Sequence, residues 1–594
     1  MRVGVDAGGT FTDGVAADGG VVKVPSTPAD PARAVAGAID RLGERAAAPV
    51  DVLAHGTTIA TNALLTRSGA PVAFVTNRGF ADIIEIGRQD RPSLYDPFAD
   101  RPAPLVGRHH RVEVAGRLAP DGTELEPVST EGLLPLPDGI TAAAVSLLHS
   151  DLNPAHEQAV ARVLRDAGID VCCSFEVSPE FREYERALTT VVNAYLRAPC
   201  RAYLRALAGL APAVLVLSSA GGLVPVADAV DVPASLLLSG PAAGVLAAAS
   251  VAAANGFPQA ISLDMGGTST DVCLIRGAVP DAAPGRTVAG FPIRLPSLDV
   301  HTIGAGGGSI ARIDAGGALT VGPLSAGAVP GPACYGRGGE DATVTDADLV
   351  LGRIPPDHPL PGLGTLDVAA ARGALDKAGV TAQGVVTVVN AAMEQAVRSV
   401  TVARGVDPRD CALVAFGGAG PLHACELADA LGITTVVVPP RAGVFSAAGL
   451  IAAPRQHDAV RSWPTPASLE GLDAALESLA ETARRRAGAG AVASTFVDAR
   501  YAGQSHELTV ARVEDFHDEH ARRNGTARPG APIEVVAIRA RARVDAPLGV
   551  TDLPAVTRDA VTGPAVVAEE DCTIWIPAGW QGRCGVGGAL VIER

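Results

Sequence analysis

The chain has 594 residues, 48% of them hydrophobic and 19% charged, with a net charge of −16. That length exceeds what one core organises and predicts two to four domains, while the apolar content marks a packed globular protein rather than a disordered one. The acidic balance, with no long basic run, argues against a nucleic-acid or anionic-membrane partner but not against a nucleotide held locally with a divalent cation.

The opening residues Met1 to Asp6 enter a strand directly, with no signal-like apolar region, and no run of twenty apolar residues goes uninterrupted. The nine cysteines are scattered without a Cys-x-x-Cys pair, so reduced, buried thiols in a cytoplasmic protein are expected.

Along the chain, the apolar run Val3 to Val5 leads into Asp6-Ala7-Gly8-Gly9-Thr10-Phe11-Thr12-Asp13. Val72 to Thr76 and Ala143 to Leu148 read as strands, and Pro154 to Ala167 as a helix capped by Asn153 and stopped by Gly168. Ser178 to Leu196 reads as a long helix crossing between halves. Val214 to Leu217 is a further strand, and Ser239 to Gly244 opens a helix of small residues. The run Ala260 to Leu263 then leads into Asp264-Met265-Gly266-Gly267-Thr268-Ser269-Thr270-Asp271, a second copy of the pattern D-x-G-G-T-x-T-D.

Residues 278–346, rich in Gly and Pro, read as a β- or loop-rich insertion. Gly384 to Arg404 is a helix, and Ala412 to Phe416 a strand followed by a helix through Leu431. Ser462 to Pro466 reads as a linker; beyond it Leu469, Leu472, Leu476 and Leu479 mark one helix face, and β alternation begins at Thr495. These signals divide the chain into a first lobe (1–190), a second lobe with its insertion (191–458) and a small α+β C-terminal domain (459–594).

The repeat carries the chemistry. A single Gly-Gly-Thr turn commonly just reverses a hairpin, but two copies at long range imply duplicated architecture. Glycines let backbone N–H groups approach an anion, and hydroxyls add donors. Gly8, Gly9, Thr10, Thr12, Gly266, Gly267, Thr268 and Ser269 are therefore the candidate phosphate contacts. Asp6 and Asp264 are the candidate catalytic and Mg²⁺-organising carboxylates. Asp13 and Asp271 end the turns, as caps or as metal contacts.

Five stretches, in order, resemble the actin, sugar-kinase and heat-shock ATPase superfamily: two phosphate loops at 6–13 and 264–271, connecting helices at 239–244 and 443–449, and an adenosine loop at 417–421. The small residues of the two helices suit a hinge, and a large residue at Gly244 is expected to impair closure more than nucleotide contact. Longer stretches resemble the hydantoinase A/oxoprolinase family: His55 to Ala63, Asp299 to Ser309, and Phe416 to His423. The resemblance covers essentially the whole chain.

It implies a two-lobed actin-like (ribonuclease H-like) α/β fold, with ATP and Mg²⁺ as cofactors. Gly306, Gly307, Gly417, Gly418 and Gly420 join the nucleotide contacts. The reaction it implies is phosphorylation of a carbonyl oxygen, in a cyclic amide such as a hydantoin, 5-oxoproline or lactam, or in a ketone headed for carboxylation. The resemblance also implies a B-type partner subunit that completes the reaction.

Candidate substrate-side residues are Thr57, Thr58, Asn62, Arg88 and Asp299, with His55 and His301 as candidate catalytic groups. Thr57 or Thr58 also suits a helix cap, and Arg88 equally suits a surface arginine. Asp299 and His301, two apart on a strand, would share a face. His517 and His520 read as structural or interfacial. A nucleotide-driven conformational switch is the alternative of another class.

Overall fold

The computed structural model describes residues 1–9, 11–27, 30–357 and 364–594. Thr10 lies outside the described residues.

Each of two lobes is organised by one copy of the repeated motif. In the first, strand Arg2–Ala7 turns back on Phe11–Ala16 and runs parallel to Val52–Thr57. In the second, Ala260–Met265 turns back on Thr270–Arg276 and runs parallel to Ala412–Phe416. The register is the same in both: Asp6 faces Asp13, and Asp264 faces Asp271. The turn is closed identically as well, Gly8 N–H donating to Phe11 O and Gly266 N–H to Ser269 O, each at 3.0 Å. Strand alternation sets the apolar residues on the face opposite the leading aspartate, so one face of each hairpin is anchored in a core while the carboxylate stays at its mouth: Val3, Val5, Ile261 and Leu263 are all fully buried.

The first lobe's sheet has ten strands and the second's nine. They meet at the small-residue helices Gly240–Ala254 and Phe445–Ala452. Glycine is required at this contact: a Cβ on Gly449 would lie 2.3 Å from the Ala243 carbonyl oxygen. This is the two-lobed actin-like α/β architecture. A separate five-stranded sheet, 72–77 at its centre, packs beside the first lobe, and residues 278–346 form short hairpins and loops as expected. Among the described residues no helix is long and apolar enough to cross a membrane.

Four expectations about organisation need correction. Strands Ala213–Leu217 and Leu223–Pro225 belong to the first lobe's sheet, so that lobe does not end near residue 190. The C-terminal stretch is not one separate domain: strands between 455 and 544 extend the first sheet, while 561–562, 581–584 and 590–593 extend the second. Ser462 to Pro466 is not a linker either. Ser462 ends a strand paired over eight residues with Ile533–Val544, and Trp463 is buried, its indole N–H donating to Ser468 O at 2.8 Å. The long helix runs Glu183–Leu207 and stays inside the first lobe, packed on strand Ala142–Val145 and helix Ile59–Leu65, rather than crossing between halves.

Candidate active site

The two hairpins face each other across a cleft of about 360 Å³. Gly8, Gly9, Gly266, Gly267, Thr268 and Ser269 line it. A Cβ at Gly9 or Gly267 would find nothing within 4 Å, so the backbone there is open to a ligand. Behind the second turn, Gly307 N–H donates to Gly266 O at 3.0 Å and Gly308 N–H to Gly267 O at 2.7 Å. Gly306 sits so close beneath that a Cβ would lie 2.6 Å from Thr268 N. Gly306 therefore braces the turn, while Gly307 also reaches the cleft surface.

Each leading aspartate is pressed against a glycine of the neighbouring strand. A Cβ on Gly56 would come within 2.6 Å of Asp6 Oδ1, and one on Gly417 within 2.5 Å of Asp264 Oδ1. Gly417 also has φ +82°, which favours glycine. Gly417 and Gly418 line the cleft, whereas Gly420 starts helix Gly420–Leu431 and packs on Leu263 O.

Among the described residues, five aspartates line this cleft, Asp6, Asp13, Asp264, Asp271 and Asp571, against a single cationic side chain, Lys23. Burial, then the proximity of Asp13, pushes the Asp6 carboxyl up to about 7, with Lys23 opposing. Burial, then Asp271 and Asp6, pushes Asp264 up to about 8. Burial raises Asp271 to about 6 against a hydrogen bond from Thr302. A crowd of oxygen donors that repel one another when ionised fits a hard divalent cation.

The same crowding sets a pH dependence. These carboxyls titrate above their unfolded-state value of 3.8, so the folded state holds protons that the unfolded state has lost. The stability they contribute is complete below about pH 4 and is lost as pH rises through 6 to 8. The melting temperature of metal-free protein is therefore expected to fall between pH 5 and 8, and Mg²⁺ to flatten that slope. A metal-free Tm that rises over this interval contradicts the assignment.

The remaining sequence candidates divide. Thr58 lines the cleft, its hydroxyl 3.4 Å from Ala7 O. Thr57 is buried and its Oγ1 accepts the Ile59 N–H at 3.3 Å, a turn-capping role. Asn62 is exposed on the following helix and donates to Thr58 Oγ1. Thr12 is corrected: strand alternation that aims Asp13 at the cleft turns Thr12 the other way, where its hydroxyl meets Ser26 Oγ at 3.1 Å.

His55 is also corrected. It sits on a central strand, fully buried, and Nδ1 donates to Val5 O at 2.9 Å. That leaves Nε2 to accept from the Tyr203 hydroxyl at 2.7 Å, and burial pushes the imidazole down to about 4. The ring is neutral and occupied, so it holds the fold and does not wall the substrate. His301 and Asp299 do not act together at the cleft. The register places Thr302, not His301, opposite Asp271; His301 faces Val272 and is exposed, and Asp299 is ion-paired with Arg404. Arg88 lies outside the cleft, bidentate to Glu185 at 2.9 and 2.6 Å. His517 and His520 pack around Tyr501, His517 Nδ1 lying 2.7 Å from its hydroxyl.

The sequence reading missed Lys23, Ser446 and Asp571. Ser446 donates to Asp264 Oδ2 at 3.4 Å, and Asp571 accepts the Gly443 N–H at 2.7 Å. Counting forward from Asp13 across the next turn would have found Lys23. Nothing local in the sequence ties Asp571 to a loop 128 residues earlier.

The model "Hydantoinase/oxoprolinase N-terminal region" matches residues 2–168, and "Hydantoinase/oxoprolinase" matches 186–459. Caprolactamase subunit alpha of Pseudomonas jessenii is 34% identical over 98% of this chain and 97% of its own length. The chain belongs to the hydantoinase/oxoprolinase family. The acetophenone carboxylase gamma subunit of Aromatoleum aromaticum is 34% identical over 75% of this chain and 67% of its own. The crystal structure of the ATP-dependent caprolactamase from Pseudomonas jessenii matches with a TM-score of 0.87 at 30% identity, covering all of both chains.

Proposed function

We propose that this hydantoinase/oxoprolinase family member binds ATP in the cleft and transfers its γ-phosphoryl group to the carbonyl oxygen of a small cyclic amide, a hydantoin, 5-oxoproline or lactam. The observation that carries this reading is the pair of hairpins in identical register, whose glycine turns and aspartates oppose each other across one cleft. The ATP-dependent caprolactamase, similar over the full length, supports it.

An amide oxygen is a weak nucleophile and a poor leaving group. In the proposed reaction it bonds to the γ-phosphorus as that atom's bond to the β–γ bridging oxygen breaks, releasing ADP. One water then adds at the carbon and the ring nitrogen leaves as the amine. A second water displaces phosphate from the resulting acyl phosphate. Open backbone at Gly9 and Gly267, with the hydroxyls of Thr268 and Ser269, would hold the polyphosphate in line. A Mg²⁺ ion, for which Asp6, Asp13, Asp264 and Asp271 are the carboxylates at hand, would neutralise charge at the transferring group.

The water-addition steps belong, in this reading, to a B-type partner. Caprolactamase alpha and acetophenone carboxylase gamma are named as subunits, which supports a multi-chain enzyme. So does an apolar tip on the loop at 88–105, where Leu94, Tyr95 and Phe98 are 78%, 95% and 90% exposed. The tip is braced: Ser93 Oγ accepts the N–H groups of Tyr95 and Asp96, and Arg101 holds the Ile86 carbonyl. Replacing Tyr95 and Phe98 together with Ser is expected to raise the partner concentration needed for activity by about tenfold or more, with nucleotide affinity unchanged. A titration with unaltered half-saturation contradicts that role for the tip.

A second reading, carboxylation of a ketone through its enol phosphate, is favoured by the acetophenone carboxylase relative. One screen separates them: phosphate release from Mg·ATP with hydantoins, 5-oxoproline, lactams, or ketones plus bicarbonate, with and without the B-type subunit. The proposal expects a cyclic amide to stimulate release. Stimulation by ketones alone supports the carboxylase, and stimulation by a protein with no small molecule overturns both.

A further inference from the structure

Lys23 lies in this cleft as its only cationic side chain among the described residues, and it has no part in either motif copy. The chain is otherwise built with arginine: of 48 basic residues only Lys23 and Lys377 are lysines. A lysine carries a compact charge on a flexible stem that can change partners, whereas arginine's planar fork favours a fixed bidentate contact.

Register fixes where that charge sits. Strand Val21–Pro25 pairs antiparallel with Phe11–Ala16, placing Lys23 opposite Asp13, which is itself opposite Asp6. Directly opposed residues share a face, so Asp6, Asp13 and Lys23 form one row across three strands. The second lobe repeats the row as Asp264, Asp271 and Thr302. The duplicated site therefore differs at its third position, an ammonium in one lobe and a hydroxyl in the other. The Lys23 Nζ lies 2.6 Å from Asp13 Oδ1 and 5.0 Å from the centre of the Phe11 ring, with the side chain 15% exposed. It is held at the cleft wall by one carboxylate and one ring face, and both contacts leave donor capacity on the ammonium.

We propose that Lys23 is a polyphosphate-binding residue, its ammonium contacting phosphoryl oxygens of the bound nucleotide while Asp13 keeps it aimed. The inference rests on the ATP reading above. It makes the first lobe the one that supplies fixed positive charge to the phosphates, while the second lobe places no lysine or arginine in the cleft among the described residues.

The test compares a non-hydrolysable ATP analogue with adenosine, each titrated calorimetrically in Mg²⁺ buffer against wild type, Lys23→Gln and Lys23→Arg. Lys23→Gln is expected to weaken analogue binding by about tenfold or more and to leave adenosine binding unchanged. Lys23→Arg, which keeps the charge and so the Asp13 pair, is expected to fall between wild type and Lys23→Gln. A purely structural ion pair would move both ligands together or neither, so an unchanged analogue-to-adenosine ratio in Lys23→Gln overturns the assignment. Should Lys23→Gln not fold, an analogue affinity in Lys23→Arg equal to wild type overturns it. Wild-type protein that binds no analogue overturns the ATP reading itself, an outcome distinct from the others.

Discussion

Asp264→Asn is expected to lower turnover by about 10²-fold or more without loss of the fold, the scale associated with removing a group that stabilises charge in the transition state. Asp264 stands at the end of the second hairpin's first strand, opposite Asp271, with Ser446 at 3.4 Å and Gly417 packed against its carboxyl. Asparagine has the same shape and fits the same contacts. It also removes one of the mutually repelling carboxylates, whose crowding with burial lifts Asp264 to about 8. Metal-free Asp264→Asn should thus melt no lower than wild type at pH 8 while being nearly inactive. Near-normal turnover in a folded variant would sink the assignment.

The second large effect concerns the hinge. Gly449→Leu is expected to wedge the two connecting helices apart, because its first side-chain carbon would lie 2.3 Å from Ala243 O and 3.1 Å from Ala247 Cβ. Overpacking of this kind typically costs about 1–3 kcal/mol of stability. The functional consequence is expected to be larger, because the hinge reading makes lobe closure turn on this contact. Wild type should show a smaller radius of gyration by solution scattering with an ATP analogue than without it, and Gly449→Leu should show no such change. Equal compaction in both proteins contradicts the hinge. Gly244→Leu is a poorer probe than its helix position suggests. Its Cβ would lie 2.5 Å from the Phe416 ring and 2.8 Å from Ser446 Oγ, which hydrogen-bonds Asp264. It would disturb the nucleotide site along with closure.

What was legible in the sequence was local. The repeated octapeptide, with the apolar run just before it, encodes its own hairpin: the turn glycines lie between end carboxylates, and Val3 and Val5, or Ile261 and Leu263, anchor the leading strand in a core. The two lobes and the carboxylate pairs followed from it. What was not legible depends on partners far along the chain. His55 reads as a free imidazole until Tyr203 is brought against it, and Arg88 as a substrate clamp until Glu185 claims it. Asp299 and His301 fail for another reason: a strand begins at His301, and its register gives Thr302 the place beside Asp271. The C-terminal strands read as an independent domain because nothing in an isolated strand states which sheet it will extend. Family motifs mark whole stretches, whereas the position of each single residue within them depends on those distant contacts.

The most direct measurement follows the carbonyl oxygen. A cyclic amide that the enzyme opens, labelled with ¹⁸O at its carbonyl, is turned over with ATP, Mg²⁺ and the B-type subunit, and the inorganic phosphate is analysed by mass. Phosphorylation of that oxygen followed by attack at carbon transfers the label, so each phosphate released in ring opening carries one ¹⁸O. Ring opening that releases only unlabelled phosphate would contradict phosphorylation of that oxygen followed by attack at carbon.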